Sequence, residues 1–238
     1  MLPEMKKLFF SIVMIAAALG ARAQQTAPAV AEKSEWLPAF TRIEASGAFD
    51  VVFERVPDSE APKIVYDTKG SYTTKFRAEV KDRVLHIRER IDSRRPERTQ
   101  VRVCYNTLSS FALTDAKASL ADTLRQSLLD VALAGGASLE GTLEVQDLDM
   151  SVSDKASALL GGSARYLTLQ ASGGQVNAAE LETMSARVSA QSNAEVRVWV
   201  TDRLEARTST GAVLRYRGEP AIVRTALKFM GGEIKPLE

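Results

Sequence analysis

The chain of 238 residues has one histidine and one cysteine, so most side chains able to do chemistry are carboxylates and cations. His86 lies between Leu85 and Ile87 in a charged alternating stretch and has no second histidine to share a metal with. It is expected to be a solvent-facing structural residue rather than the base of a triad. Cys104, within Val101-Arg102-Val103-Cys104-Tyr105, reads as a small buried strand residue, and a single cysteine allows no internal disulfide. Neither a nucleophile elbow nor a phosphate-binding glycine loop with its lysine occurs. The pattern implies no metal and no cofactor.

Two groups of charges remain. Asp115 lies near Lys117, and Asp154 beside Lys155, in comparable surroundings. Polysaccharide-cleaving β-helices work through carboxylates or basic residues gathered on one face, so these positions carry the enzymatic alternative. The plainer expectation is that they keep exposed corners soluble. The second group follows from the frame Val176, Val196, Leu214, Ile234, whose next residues Asn177, Arg197, Arg215 and Lys235 should form an outward column. Trp199 should point the same way and lie beside Arg217. Stacked cations cost stability, although water and salt screen them. Such a column can bind an anionic sugar or partner, and a tryptophan among arginines can stack on a sugar ring. The candidate ligand-binding residues are therefore Arg197, Trp199, Arg215, Arg217 and Lys235.

Those columns exist only if the chain stacks on itself, and its repeats predict that it does. From about Leu108 to Lys235 a unit of roughly 19 residues recurs. Ala118-Ser119-Leu120, Ala137-Ser138-Leu139 and Ala156-Ser157-Ala158 share one spacing, and Thr123-Leu124 is echoed by Thr142-Leu143. Ser172 to Val176, Ser192 to Val196, Thr210 to Leu214 and Met230 to Ile234 continue the pattern with small slips. Each unit carries a period-2 strand and then small or turn-forming residues. Short strands bury little alone and a continuous column when stacked. The expected fold is an all-β solenoid of about seven rungs, which at about 4.8 Å each gives a length on the order of 30–35 Å. Asparagines only at 106, 177 and 193 exclude a leucine-rich ladder, and no Gly-Gly-x-Gly-x-Asp unit follows the glycine pairs. A β-sandwich is the competing arrangement.

Ahead of the repeats, strands are expected at 41–45, 49–56, 63–67, 76–81, 84–89 and 99–105, capping the stack. Asp82-Arg83 is the expected hairpin turn and 92–98 an exposed basic loop. Pro236 should blunt the opposite edge, and an incomplete cap at either end would lead to end-to-end association. Met5-Lys6-Lys7, the apolar run Leu8–Leu19 and Ala21-Arg22-Ala23 read as a secretory signal over 1–23. That run is short of the about 20 residues of a spanning helix. Residues 24–39 read as a flexible linker and 40–238 as a single domain, with strands and cap to 105 and repeats from 106. The mature chain is expected to be exported, whether periplasmic, outer-membrane-associated or secreted, with no transmembrane segment. Its near-zero net charge predicts no general attraction to nucleic acid or anionic membranes.

The run Phe40-Thr41-Arg42-Ile43-Glu44-Ala45-Ser46-Gly47-Ala48-Phe49-Asp50-Val51-Val52-Phe53 resembles the opening strand pair of the head GIN domain family, exported bacterial proteins described as putative auto-transporter adhesins. Thr210-Gly211-Ala212-Val213-Leu214-Arg215-Tyr216-Arg217-Gly218-Glu219-Pro220 is similar to that family's closing turn and Tyr-x-Gly-x-Pro segment. Asp115 to Ser119 and Ser153 to Ser157 depart from its glycine-rich corners. The resemblance implies a right-handed, single-stranded parallel β-helix and supplies no catalytic residues. The expected function is non-enzymatic: a binding or adhesion module presenting a rigid face to a glycan, a cell-envelope component or a protein. A polysaccharide-active enzyme and a purely structural envelope protein are the alternatives.

Overall fold

A computed structural model of the protein describes residues 32–69, 75–90, 97–225 and 230–237. The expected signal, the linker before Glu32 and most of the basic loop lie outside these residues. Fifteen strands form one sheet, with no α-helix among the described residues. They are β1 (Lys33–Trp36), β2 (Arg42–Ser46), β3 (Phe49–Arg55), β4 (Lys63–Asp67), β5 (Phe76–Lys81), β6 (Val84–Glu89), β7 (Thr99–Tyr105), β8 (Ser110–Thr114), β9 (Lys117–Leu120), β10 (Leu124–Ala134), β11 (Ser138–Gln191), β12 (Glu195–Thr208), β13 (Val213–Arg217), β14 (Ile222–Thr225) and β15 (Glu233–Pro236).

Extended straight, the 54 residues of β11 would span about 180 Å at about 3.3 Å each. Instead the strand coils back beside its own start, where the Ser157 N–H bonds the Ala137 carbonyl at 2.9 Å. Parallel neighbours elsewhere keep the same stride. Leu124 pairs with Leu143, and Val176, Val196, Leu214 and Ile234 form one continuous row. That row and its fellows face inward: Val176, Val196 and Leu214 are all buried. The register corrects one part of the repeat frame. Ala118 pairs with Leu139 rather than with Ala137, because the coil linking β9 to β11 is two residues longer than its neighbours.

The corners explain the departures from glycine. Asp115 and Asp154 adopt left-handed φ of 61° and 62°. Asp115 Oδ1 accepts the Gly136 N–H at 2.7 Å, and Asp154 Oδ2 accepts that of Gly135 at 3.2 Å. Short acidic side chains tolerate left-handed backbone and bond nearby amides, so these carboxylates brace neighbouring corners. Asp82 and Arg83, at φ 50° and 62°, form the two-residue hairpin joining β5 to β6.

The strands before the repeats are more than a cap. β2 lies in parallel between β6 and β8, and β3 between β7 and β9, continuing the coil. Among the described residues the antiparallel pairs are β1 with β4, β4 with β7 and β5 with β6, at the margin. β1 falls within the stretch expected to be linker, and the Tyr66 hydroxyl of β4 donates to Glu35 Oε1 at 2.7 Å. Burial, then this bond, pushes the Tyr66 pKa up to about 12. Burial, with a smaller contribution from Asp122, outweighs nearby Arg55 and pushes Tyr105 up to about 12. A raised folded-state pKa favours the neutral phenol in the folded chain. Its contribution is complete below the unfolded value of about 10 and disappears as pH rises through about 12. Titration followed at 295 nm should show two of the five tyrosines ionising near pH 12, with resistance to urea falling above pH 10. A single tyrosine class near pH 10 would contradict both environments.

Candidate functional site

Alternation along each strand sends one set of side chains inward and the other onto the outer surface. On one lateral face the outward sets of successive coils lie in two rows. The first includes Asp50 paired with Lys117, and Lys117 paired with Ser138, with Ser157 one coil on. The second includes Val52 paired with Ser119, and Ser119 paired with Glu140. Serines stand low between longer neighbours, and the surface dips there into a groove of about 800 Å³. Val52 and Leu159 line it at 37% and 48% exposure and give the groove an apolar wall.

One end of the groove is tied down. Arg98 Nε donates to Asp50 Oδ1 at 2.5 Å, and its Nη2 bonds the carbonyls of Phe49 and Asp115 at 2.9 and 3.0 Å. Gln100 Nε2 donates to Asp50 Oδ2 at 3.0 Å, so this carboxylate is engaged from two sides. The opposite end opens into the cation column. Arg197 pairs with Arg215 and Arg215 with Lys235, the register expected from the sequence. A second hollow of about 530 Å³ lies along these three and shares Asn177 and Arg197 with the groove. Lys235 Nζ is 3.1 Å from Glu233 Oε1, whereas Arg197 and Arg215 have no ion pair among the described residues.

Trp199 and Arg217 are neighbours, as the sequence frame requires, but they face each other. The guanidinium carbon lies 4.4 Å from the indole centroid, and Arg217 Nη1 donates to the Ala179 carbonyl and to Glu180 Oε1 at 3.3 and 3.1 Å. These acceptors belong to a bulge. Ala178 pairs with Val198 and Glu182 with Trp199, leaving Ala179, Glu180 and Leu181 without counterparts on β12. Arg217 thus clamps the bulge across Trp199, and the indole is half-buried rather than an open platform. The five candidates therefore divide into the column Arg197, Arg215, Lys235 and the clamp Trp199, Arg217.

His86 Nδ1 sits 3.0 Å from Glu44 Oε2 on the outward side of β6. Cys104 is buried and its thiol pKa is raised by burial, which leaves little thiolate for chemistry. Among the described residues no three His, Cys, Asp or Glu side chains are grouped to hold a metal ion. Of the five expected ligand-binding residues Arg197 alone lines the groove, together with Lys117 from the enzymatic alternative. The groove's signal was the repeated Ser138 and Ser157, which the sequence frame treats as corners although they stand on the strand.

A family model described as "Putative auto-transporter adhesin, head GIN domain" matches residues 39–220. The fold is similar to crystal structures of a putative adhesin from Bacteroides fragilis NCTC 9343 (TM-score 0.79, 17% identity) and of one from Parabacteroides merdae ATCC 43184 (TM-score 0.68, 16% identity). A third, from Parabacteroides distasonis ATCC 8503, has TM-score 0.68 and 19% identity. Each likeness covers 87% of this chain and 96% of the other. At such identities the likeness is one of fold. A comparison with curated proteins finds no match.

Proposed function

The chain belongs to the head GIN domain family of putative auto-transporter adhesins, and from that premise we propose that it is an exported, non-enzymatic binding module whose grooved lateral face receives an extended ligand. The observation that carries this reading is the continuity of the groove with the column Arg197, Arg215, Lys235 across successive coils. A face with a low serine floor, two exposed aliphatics and unpaired guanidiniums at one end suits a glycan or another cell-envelope component with polar and anionic groups. The enzymatic reading loses its best residues, because the carboxylates of Asp115 and Asp154 brace backbone corners.

The scaffold in this proposal is a right-handed parallel β-helix of about seven rungs over 40–238, joined at its margin by β1, after a signal at 1–23. The sequence stride between paired coils and the family membership support it. Trp199 and Arg217 serve by holding the 179–181 bulge beside the groove, while Arg197, Arg215 and Lys235 touch the ligand.

A glycan and envelope-fraction binding screen of residues 24–238 tests the proposal. Arg215→Ala, which removes a charge-assisted contact, is expected to weaken binding about tenfold. Leu159→Ser should weaken it several-fold through the groove wall. Binding untouched by both substitutions would overturn the proposed face, and release of reducing ends would overturn the non-enzymatic assignment.

A further inference from the structure

The charges of the repeats are segregated along the stack. Residues 115–184 contain ten acidic and four basic side chains, whereas 185–238 contain six acidic and nine basic. The formal charge of +1 for the whole chain conceals this polarity. The basic excess surrounds the final coils. One face carries Arg197, Arg215 and Lys235. On the other, β12 presents Arg203, Glu205 and Arg207 outward, and Glu205 stands in register between Arg187 of β11 and Arg224 of β14. Its carboxylate lies 3.3 Å from Arg187, 3.4 Å from Arg203 and 3.9 Å from Arg224. One carboxylate cannot neutralise three guanidiniums, and Arg207 has no ion pair among the described residues.

The same end has an apolar tip. Val223 occupies an inward row, in register with the fully buried Leu204. It is nevertheless 44% exposed, and among the described residues β14 pairs only with β12. Ile222 is 40% exposed and Met230, at the adjoining corner, 69%. Apolar side chains ringed by guanidiniums complement one kind of surface closely. Aliphatic and thioether groups enter the boundary between headgroups and acyl chains, while the collar meets lipid phosphates. Guanidiniums suit that role through their fork of donors.

We infer that the C-terminal end of the stack is a docking tip for an anionic lipid bilayer. The tip shares the edge cations Arg197, Arg215 and Lys235 with the proposed ligand face but is argued from Arg207, Arg224, Ile222, Val223 and Met230, none of which lines the groove.

The test is co-sedimentation of residues 24–238 with phosphatidylcholine vesicles, with and without about one third phosphatidylglycerol, while sedimentation velocity follows self-association in the same buffer. The chain must lack residues 1–23, whose apolar run would itself partition into lipid. Binding is expected only to the anionic vesicles and should weaken with salt. R207Q/R224Q should reduce partitioning on the order of 30-fold, since each basic residue near an anionic surface contributes about fivefold. I222S/M230S should reduce it about tenfold at an unchanged thermal midpoint, and Arg125→Gln, in the acidic middle, should have no effect. Failure to bind anionic vesicles, or binding indifferent to both double variants, overturns the tip. Concentration-dependent oligomers abolished by I222S/M230S would assign the tip to a second copy and overturn it equally. Leu159→Ser separates the two proposals, because it should impair ligand binding in the groove and leave vesicle binding intact.

Discussion

Gly162→Ala is expected to cost about 3–5 kcal/mol of unfolding free energy, whereas Gly161→Ala should be neutral or stabilising by about 0.5 kcal/mol. The two glycines are adjacent in β11 and differ in what a Cβ would meet. At Gly162, φ is 103° and the added carbon would lie 2.1 Å from the Leu143 carbonyl oxygen of the preceding coil. Backbone cannot rotate away as a side chain can, so the coil must shift. At Gly161 the nearest atom is the Glu180 carbonyl oxygen at 3.7 Å, an ordinary contact. Here alanine mainly reduces the freedom of the unfolded chain. A shift at Gly162 would also move Leu159, three residues earlier in the groove wall, so ligand binding should fall along with stability. Urea denaturation of both variants decides the matter. A Gly162→Ala protein within about 1 kcal/mol of its parent would mean that the coils have slack that these contacts deny.

The contrast shows which parts of the molecule its sequence can reveal. Strands β4 to β7 were legible to the residue, because each is a short run of strand-forming residues bounded by turn formers or charged loops. The row Val176, Val196, Leu214, Ile234 was legible because stacking demands like residues at like positions. The Ala118–Ala137 match failed for the same reason inverted: similar triplets recur at one spacing while the coil between them carries two extra residues. Asp115 and Asp154 looked like degraded corners. Their φ and their bonds to glycine amides make them working ones, a role that composition alone does not display. The cation column was legible from register, but the cover on Trp199 was not. It depends on Ala179, Glu180 and Leu181 bulging from an otherwise periodic strand, and an extra segment has no signature in a periodic reading. The groove is harder still. Its depth comes from low side chains on neighbouring coils, a property of several strands in register and of no single one.

Phe53→Ala is expected to cost about 3–5 kcal/mol, and both ends of the molecule should lose stability together. Phe53 is 1% exposed on β3, between β7 and β9, where the early strands join the repeats. Its ring packs on Phe111 with centroids 6.0 Å apart, near a cluster in which Phe76 contacts both Phe49 and Tyr66. Inward rows farther along are built mainly from valine, leucine and alanine, and none of them supplies a second phenyl ring in place of Phe53. In a stack each coil contacts only its neighbours, so stability is approximately a sum of coil and interface contributions. Truncating Phe53 weakens the interfaces on both sides of β3. Val223→Ala, by contrast, trims a half-solvated side chain on a terminal strand and should cost under about 1 kcal/mol. The chain carries two tryptophans, Trp36 on β1 and Trp199 on β12, which report separately on its two ends in the variants Trp199→Phe and Trp36→Phe. With Phe53→Ala added to each, the fluorescence midpoints in urea should fall by the same amount, since one hydrogen-bonded sheet runs through every coil. If Trp199 keeps the parent midpoint while Trp36 loses it, the early strands and the repeats unfold as separate units, and the interface between β3 and β9 does not couple them.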